Sequence, residues 1–449
     1  MVGALGARNS RSALRKHAAG SCWMSSIGRD QPSARGKAVF VAATKEHTGK
    51  TSVSMSLLAG LIQRLGRENV AYMKPVGQKH VLVQDKDSGE EMKVDKDVRV
   101  ARVHFGLQAP YRSMSPLVLG KGYTKAFLDG KVHVAGQRQA LERAFQDLIN
   151  THKVVVVEGT GHTGVGSIVG WNNAEVAKLL GVDVMLVANG GLGSTFDQLS
   201  LNRNLCLANG VNVKGILLNK AMPSKVDMVG SYIGKAIAAN KWETPILGVI
   251  PDLQTLDKPS VQDLEQALGA VVLAGRDKRL HRFDRYELVT TSLRRFMEKL
   301  HDPDIDHSNT CFVTHASRND IILGLLSHAN DTAKMSESAA SGSGQEEGDG
   351  DNTASIETGS APRPWEAGLM LTGRPPGNTP HQFVCDYVSR SSMPVLSVPA
   401  STSQAMRSIE GFTAKMTADD RDRTQEVVDH YSPHIQWDKL MHTFGVQSG

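Results

Sequence analysis

Gly49, Lys50 and Thr51 stand directly after an apolar run and directly before a helical pattern, within the stretch from Val39 to Ser52. A strand that ends in such a turn aims the N–H groups of the turn and of the first helical residues at one small volume. The positive end of the helix favours an anion there. In that arrangement Lys50 reaches the β- and γ-phosphates of a nucleotide and Thr51 ligates magnesium. Position 44, where the common motif has glycine, carries Thr44. Counted from Lys45, the run Lys45, Glu46, His47, Thr48, Gly49, Lys50, Thr51 has the spacing of variant loops whose first lysine also touches phosphate. Lys45 through Ser52 are the candidate nucleotide contacts, with ATP and Mg2+ as the expected ligands.

Four further positions could share this chemistry. Lys74 follows a short apolar run and precedes Pro75, which fixes the exit of the chain; it is either carried towards the phosphate loop or an exposed lysine. Asp95 and Asp97 could approach a metal or be solvated. Glu158 follows the four valines Val154 to Val157, a strand buried on both faces, where an acid is costly unless it meets a cleft or a cation. It is the candidate magnesium-side carboxylate or, alternatively, a cap at a strand end, with Gly159 and Gly161 leaving room beside it. Asn219, at the end of the run 215–218, is placed to read a purine edge or to form a turn.

The elements that must position these groups follow from periodicity. Val53, Leu57, Leu58, Leu61, Ile62 and Leu65 recur at helical spacing and Gly66 ends the helix. Six strand patterns separated by helical ones, the last at 245–251, predict a doubly wound, mainly parallel α/β sheet over residues 38–255. Residues 256–308 read as a helical connector, and 309–449 as a second, smaller α/β domain. Residues 331–363 carry Ser, Gly, Glu and Asp with no aromatic, a composition that cannot bury enough surface to fold, and are expected to be a disordered insertion.

Across 449 residues the formal charge is +5, but much of the excess sits at Arg8, Arg11, Arg15, Lys16, Arg29, Arg35 and Lys37. A nucleic-acid surface is therefore not expected. Nor is a membrane span, since no apolar run reaches the roughly 20 residues it requires. Residues 1–37, free of acidic residues before Asp30, read as a transit peptide or a disordered basic tail; the mitochondrial matrix is the expected location, with plastid or cytoplasm as alternatives. The four cysteines are isolated, which points to a reducing compartment and away from zinc.

The runs Ala43 to Thr51, Lys74 to Val76, Val157 to Gly159, Leu192-Gly193, Leu218-Asn219 and Leu247 to Pro251 resemble, in order and spacing, the dethiobiotin synthetase and cobyrinic acid diamide synthetase group of P-loop proteins. Within that group the chain is most similar to the N-terminal region of long phosphotransacetylases, because Gln78 closes the turn that usually contains serine in the synthetase. The resemblance implies Lys50 on phosphate, Thr51, Glu158 and Asp97 around magnesium, Lys74 at a carboxylate or carbamate pocket, and Asn219 at the base. Lys45 stands where the synthetases have Asp and resembles the signature lysine of dimeric loop ATPases, which implies a homo-oligomer. Ser317 to Asp320, Leu371 to Gly373 and the stretch from Asp429 to Trp437 resemble the small DRTGG domain of the phosphotransacetylases, with their acetyltransferase domain absent.

Three readings follow. One is a nucleotide-binding regulatory module that senses ATP or an unidentified small metabolite. A second is an ATP-dependent ligase in which Lys50, Lys74 and Glu158 serve the phosphorylation of a carboxylate. The third is a P-loop domain kept only as scaffold.

Overall fold

The computed structural model of the protein describes residues 36–84, 89–341, 365–373, 386–412 and 415–447. Six strands build the first sheet: β1 (Lys37–Ala43), β2 (Val70–Met73), β3 (Val154–Glu158), β4 (Val184–Asn189), β5 (Val213–Ala221) and β6 (Ile246–Pro251). Their spatial order is β6-β5-β4-β1-β3-β2, and every neighbouring pair is parallel. The four valines of β3 are fully buried, as a strand covered on both faces requires. Each such side chain contributes about 1.5–3 kcal/mol of burial, so this strand anchors whatever it carries at its C-terminal end. The loops after β1, β2 and β3 all leave from that same edge of the sheet, where open α/β sheets bind ligands.

Helix α1 (Lys50–Leu65) covers one face of this sheet through Val53, Leu57, Leu58 and Leu61, and Gly66 follows it at positive φ. A hairpin of strands His80–Gln84 and Glu91–Asp95 leads into α2 (Lys96–Phe105), whose N-cap is the Asp95 side chain. Asp95 Oδ1 accepts from the Asp97 N–H at 3.0 Å.

The second sheet corrects the expected boundaries. Residues 256–308 hold helix α3 (Val261–Leu268) and two strands, β7 (Val271–Ala274) and β8 (Arg285–Leu288), which join β9 (Thr310–His315), β10 (Gly368–Thr372) and β11 (Val395–Ser397) in the order β7-β11-β10-β9-β8. The segment expected as a helical connector thus supplies both edges of the sheet. Its strands are short, and at β8 the residues are half-buried or exposed, so the apolar signal is weak. Only β7 runs antiparallel to its neighbour. Phe312, Leu369, Leu371 and Val395 face one apolar core and Cys311, Val313, Met370 and Leu396 the other, the period-2 alternation of a sheet covered on both sides. The insertion expected over 331–363 begins as the last turns of α4 (Asn319–Ser341); positions 342–363, like the leader 1–35, lie outside the described residues.

A larger correction concerns residues 415–447. They contribute nothing to the second sheet and return to the first core, to which Met416, Val427, Tyr431, Ile435, Trp437, Leu440, Met441 and Phe444 belong. Helix α5 (Arg421–Tyr431) lies along α1, and α6 (Trp437–Phe444) follows it, with the Gln436 N–H donating to the Leu247 carbonyl at 2.8 Å. The stretch from Asp429 to Trp437, whose likeness pointed to the second domain, is therefore part of the first. Gly60 is the close-approach point: a Cβ there would lie 2.0 Å from the Trp437 ring, and Arg64 stacks over the same ring at 4.4 Å. A Gly60→Val chain is expected to lose about 1–3 kcal/mol by overpacking against a rigid indole, read as a lower urea midpoint. An unchanged midpoint would mean that α6 does not press on α1.

Candidate nucleotide-binding site

The turn between β1 and α1 is held in shape by its own residues. The Thr48 hydroxyl donates to the Lys45 carbonyl at 2.7 Å, and the Asn202 amide donates to the Thr44 carbonyl at 3.0 Å. Gly49 has φ 90°, and a Cβ there would lie 2.3 Å from the Asn219 amide nitrogen, so both backbone conformation and space require glycine. Lys50 and Thr51 then open α1. Glu46, His47, Gly49, Lys50, Thr51 and Ser52 line a cleft of about 470 Å³, to which Lys74, Asp95, Asp97 and Glu158 also contribute. Lys45 is exposed and stands outside this lining.

Inside the cleft Lys74 is almost fully buried and meets all three acids. Its Nζ donates to Asp97 Oδ2 and, at 3.1 Å, to Glu158 Oε1, and lies 3.6 Å from Asp95 Oδ1. Glu158, 1% exposed, is saturated: Oε1 also accepts from the Thr51 hydroxyl at 2.8 Å, and Oε2 accepts from the Tyr72 hydroxyl at 2.8 Å. Burial works against the Lys74 ammonium, yet Asp97, Glu158 and Asp95 together hold its pKa well above the usual lysine value. Burial likewise works against ionised Asp97, but the charges of Lys74 and Lys96 win and keep its carboxyl far below the ordinary range. At Asp95 burial prevails over Lys74, and its pKa is raised. Lys50, buried with less compensation, is lowered to about 8, burial being the largest cause and Glu158 the main opposing charge.

Both ways of reading Lys74 and Glu158 are thereby narrowed. Lys74 is not a free surface lysine, and Glu158 caps no helix but ties three elements together. Asp95 also lines the cleft, but its oxygens accept from the Asp97 N–H and, at 3.2 Å, from the Gln78 N–H, so Asp97 is the less committed of the two aspartates. Asn219 is fully buried, with its amide donating to the Thr48 carbonyl at 2.8 Å and to the Tyr431 hydroxyl at 3.1 Å; Oδ1 has no protein partner. The side chain expected at a purine edge thus supports the phosphate loop from behind. Thr51, Asp97 and Glu158 offer a hydroxyl and two carboxylates, hard oxygen donors of the kind magnesium takes together with phosphate, with Lys74 held between the two acids.

Several participants were not foreseen. Tyr72 shares a strand face with Lys74 two residues on, a signal that period-2 spacing contains. Asn173 shapes the loop after β3 by bonding the Thr160 N–H and the Thr160 and His162 carbonyls, and Gly159 lies against it, where a Cβ would meet Asn173 Oδ1 at 2.6 Å. Arg423, Val427 and Tyr431 line the cleft from α5, and no local sequence signal connects them to Lys50.

A parallel sheet whose first strand runs through this loop into a helix, with an acid at the end of the neighbouring strand, defines a P-loop nucleotide-binding domain. Comparison with known proteins agrees: residues 37–260 match an AAA domain family and residues 263–412 the DRTGG domain family. The ATP-dependent dethiobiotin synthetase of Anaeromyxobacter sp. (strain K) is 30% identical over 42% of this chain and 78% of its own. The phosphate acetyltransferase of Pseudomonas putida is 25% identical over 88% of this chain and 50% of its own. The chain spans about half the length of the phosphate acetyltransferases it matches. Among solved structures, the MinD cell division protein of Aquifex aeolicus aligns with 49% of this chain and 84% of its own at 12% identity and a TM-score of 0.28. The chain belongs to the dethiobiotin synthetase-like family of P-loop proteins, with a DRTGG domain following the nucleotide-binding domain.

Proposed function

We propose that the protein is an ATP-binding regulatory module in which occupancy of the phosphate loop is relayed to the second domain. The observation that carries this reading is α5. At its C-terminal end Tyr431 bonds Asn219, which in turn bonds the phosphate loop at Thr48. Elsewhere on the same helix Arg423 bonds Asp263 at 3.0 Å and Glu426 pairs with Arg282 at 2.7 Å, both partners lying in or beside the second sheet's elements. One helix therefore touches both the loop that would move on binding and the domain that would respond.

In this reading the loop N–H groups and Lys50 hold the polyphosphate, and Thr51, Asp97 and Glu158 hold magnesium, which neutralises phosphate charge when bound. Lys45, exposed beside the loop, is free to reach a second copy of the chain. MgATP should slow amide exchange in Arg421–Tyr431 and in Val261–Leu268, and Glu426→Ala should shrink the response of Val261–Leu268. Light scattering should show an assembly shift that Lys45→Ala abolishes, with ATP turnover near background. The family likeness and the Lys74 position favour one other reading, a carboxylate-activating ligase. A carboxylate that accelerates phosphate release strongly, with the effect lost in Lys74→Ala, would select it and set the regulatory proposal aside.

A further inference from the structure

The cleft has a second basic wall, assembled from residues far apart in the chain. Lys79 and Lys96 close the base of the hairpin formed by His80–Gln84 and Glu91–Asp95: His80 pairs with Asp95, and the Lys96 N–H donates to the Lys79 carbonyl at 2.9 Å. Two lysines are thus fixed side by side on one rim. The third arrives from residues 415–419, which dock on α2. Lys96 Nζ donates to the Met416 carbonyl at 3.5 Å and Arg99 pairs with Asp419 at 3.7 Å, which brings Lys415 to the cleft that Lys79 and Lys96 also line. All three lysines line the cleft. Lys415 falls outside both matched family regions, which end at residues 260 and 412.

The charges around these lysines do not balance. Lys96 has Asp97 at 3.3 Å, but Asp97 is already bonded to Lys74, and Asp95 is committed to the α2 N-terminus. Among the described residues no carboxylate forms an ion pair with Lys79 or Lys415. The neighbouring charge of Lys79, with partial burial and the charge of Lys96, lowers Lys415 to about 8. Like charges gathered at one rim repel unless an anion joins them, and ammonium groups serve as point charges for oxyanions. The charges acting most strongly on Lys50 are Glu158, Lys74, Asp97 and Glu46; those on Lys415 are Lys79, Lys96 and Asp97. Asp97 is common to both sets.

We propose that Lys79, Lys96 and Lys415 form an oxyanion subsite, separate from the nucleotide phosphates, that takes a dianionic group carried either as phosphate or as a dicarboxylate. The subsite rests on the geometry of the cleft and not on nucleotide binding. It names the chemical class of the small molecule that this cleft would take beside ATP, and it makes residues 415–419 part of the site.

The test is calorimetric titration of the full chain with inorganic phosphate and, separately, with succinate, first without nucleotide and then at saturating MgATP. One equivalent of at least one anion should still bind to the ATP-saturated protein, and whichever binds identifies the source. Lys79→Met and Lys415→Met, both at exposed positions, should each weaken that binding at least tenfold while MgATP affinity changes less than threefold. Circular dichroism establishes that each variant is folded. Absence of anion binding at saturating MgATP, or parent-like binding in both variants, overturns the subsite. So does a joint loss of anion and ATP affinity, which would assign the lysines to the polyphosphate chain itself. If MgATP does not bind at all, the nucleotide reading fails, and the lysine dependence of the nucleotide-free titrations still decides for or against the subsite.

Discussion

Lys50→Ala is expected to lower MgATP affinity at least tenfold, a loss of about 1.5–3 kcal/mol for one charge-assisted hydrogen bond. The pH profile makes the prediction specific to this side chain. Burial brings Lys50 down to about 8. A bound polyphosphate favours the ammonium, so the lysine pKa rises on binding and the complex takes up a proton at alkaline pH. Parent affinity should therefore be level below pH 8 and fall above it, approaching tenfold, or about 1.4 kcal/mol, per pH unit until the raised pKa of the complex is reached. Lys50→Ala should lack this alkaline fall. Calorimetry between pH 6.5 and 9.5 reads both quantities. Equal affinity in parent and variant would remove the phosphate loop from the account.

The second large effect belongs to Lys74. Removing one member of a buried ion network leaves the others uncompensated, and Lys74→Met is expected to destabilise the fold by about 3–5 kcal/mol at neutral pH. The signs separate parent from variant. In the parent, the depressed pKa of Asp97 gives stability that is present above the unfolded aspartate value and lost as pH falls through the folded one. The raised pKa of Lys74 gives stability that is present below the unfolded lysine value and lost as pH rises through the folded one. Without the ammonium, burial raises the remaining carboxyls, the folded state binds protons more readily than the unfolded, and the variant should regain stability on acidification. Urea unfolding at pH 5 and pH 7.5 should show the gap between parent and variant narrowing at the lower pH. A gap that is small at both pH values would mean that Lys74 is not the partner of these acids.

Much of this site was legible because its parts are local. Gly49, Lys50 and Thr51 are adjacent, Glu158 follows four valines, and Lys74 ends a strand; strand-then-loop patterns place all three at one sheet edge without any knowledge of long-range packing. The limits have equally definite causes. Asp95 and Asp97 look alike in sequence, and only the start of α2 tells the cap from the less committed acid. The strands Val271–Ala274 and Arg285–Leu288 are four residues each and carry too little apolar alternation to stand out from a helical background. Residues 415–447 read as part of the second domain, with 309–449, because nothing in local periodicity says which core a segment joins. The contact of the Ser56 hydroxyl with the Val427 carbonyl spans 371 positions. Asn219 meets the same limit: its partner Tyr431 lies 212 positions away, on a helix that no local pattern connects to the phosphate loop.

The return of residues 415–447 to the first core has a consequence for how the chain acquires its structure. The surface of α1 around Gly60 and the edge of β6 at Leu247 and Gly248 await partners that leave the ribosome only after the whole second sheet has been synthesised. During synthesis the first domain therefore carries an apolar face that its own neighbours in sequence cannot cover, while the second sheet can form from contiguous chain. Closing that face requires contacts of high sequence separation, which form late and slowly. Assembly of the nascent chain is thus ordered: the nucleotide-binding domain begins first and is completed last, and a ribosome stalled before residue 415 holds a phosphate loop without its backing helix.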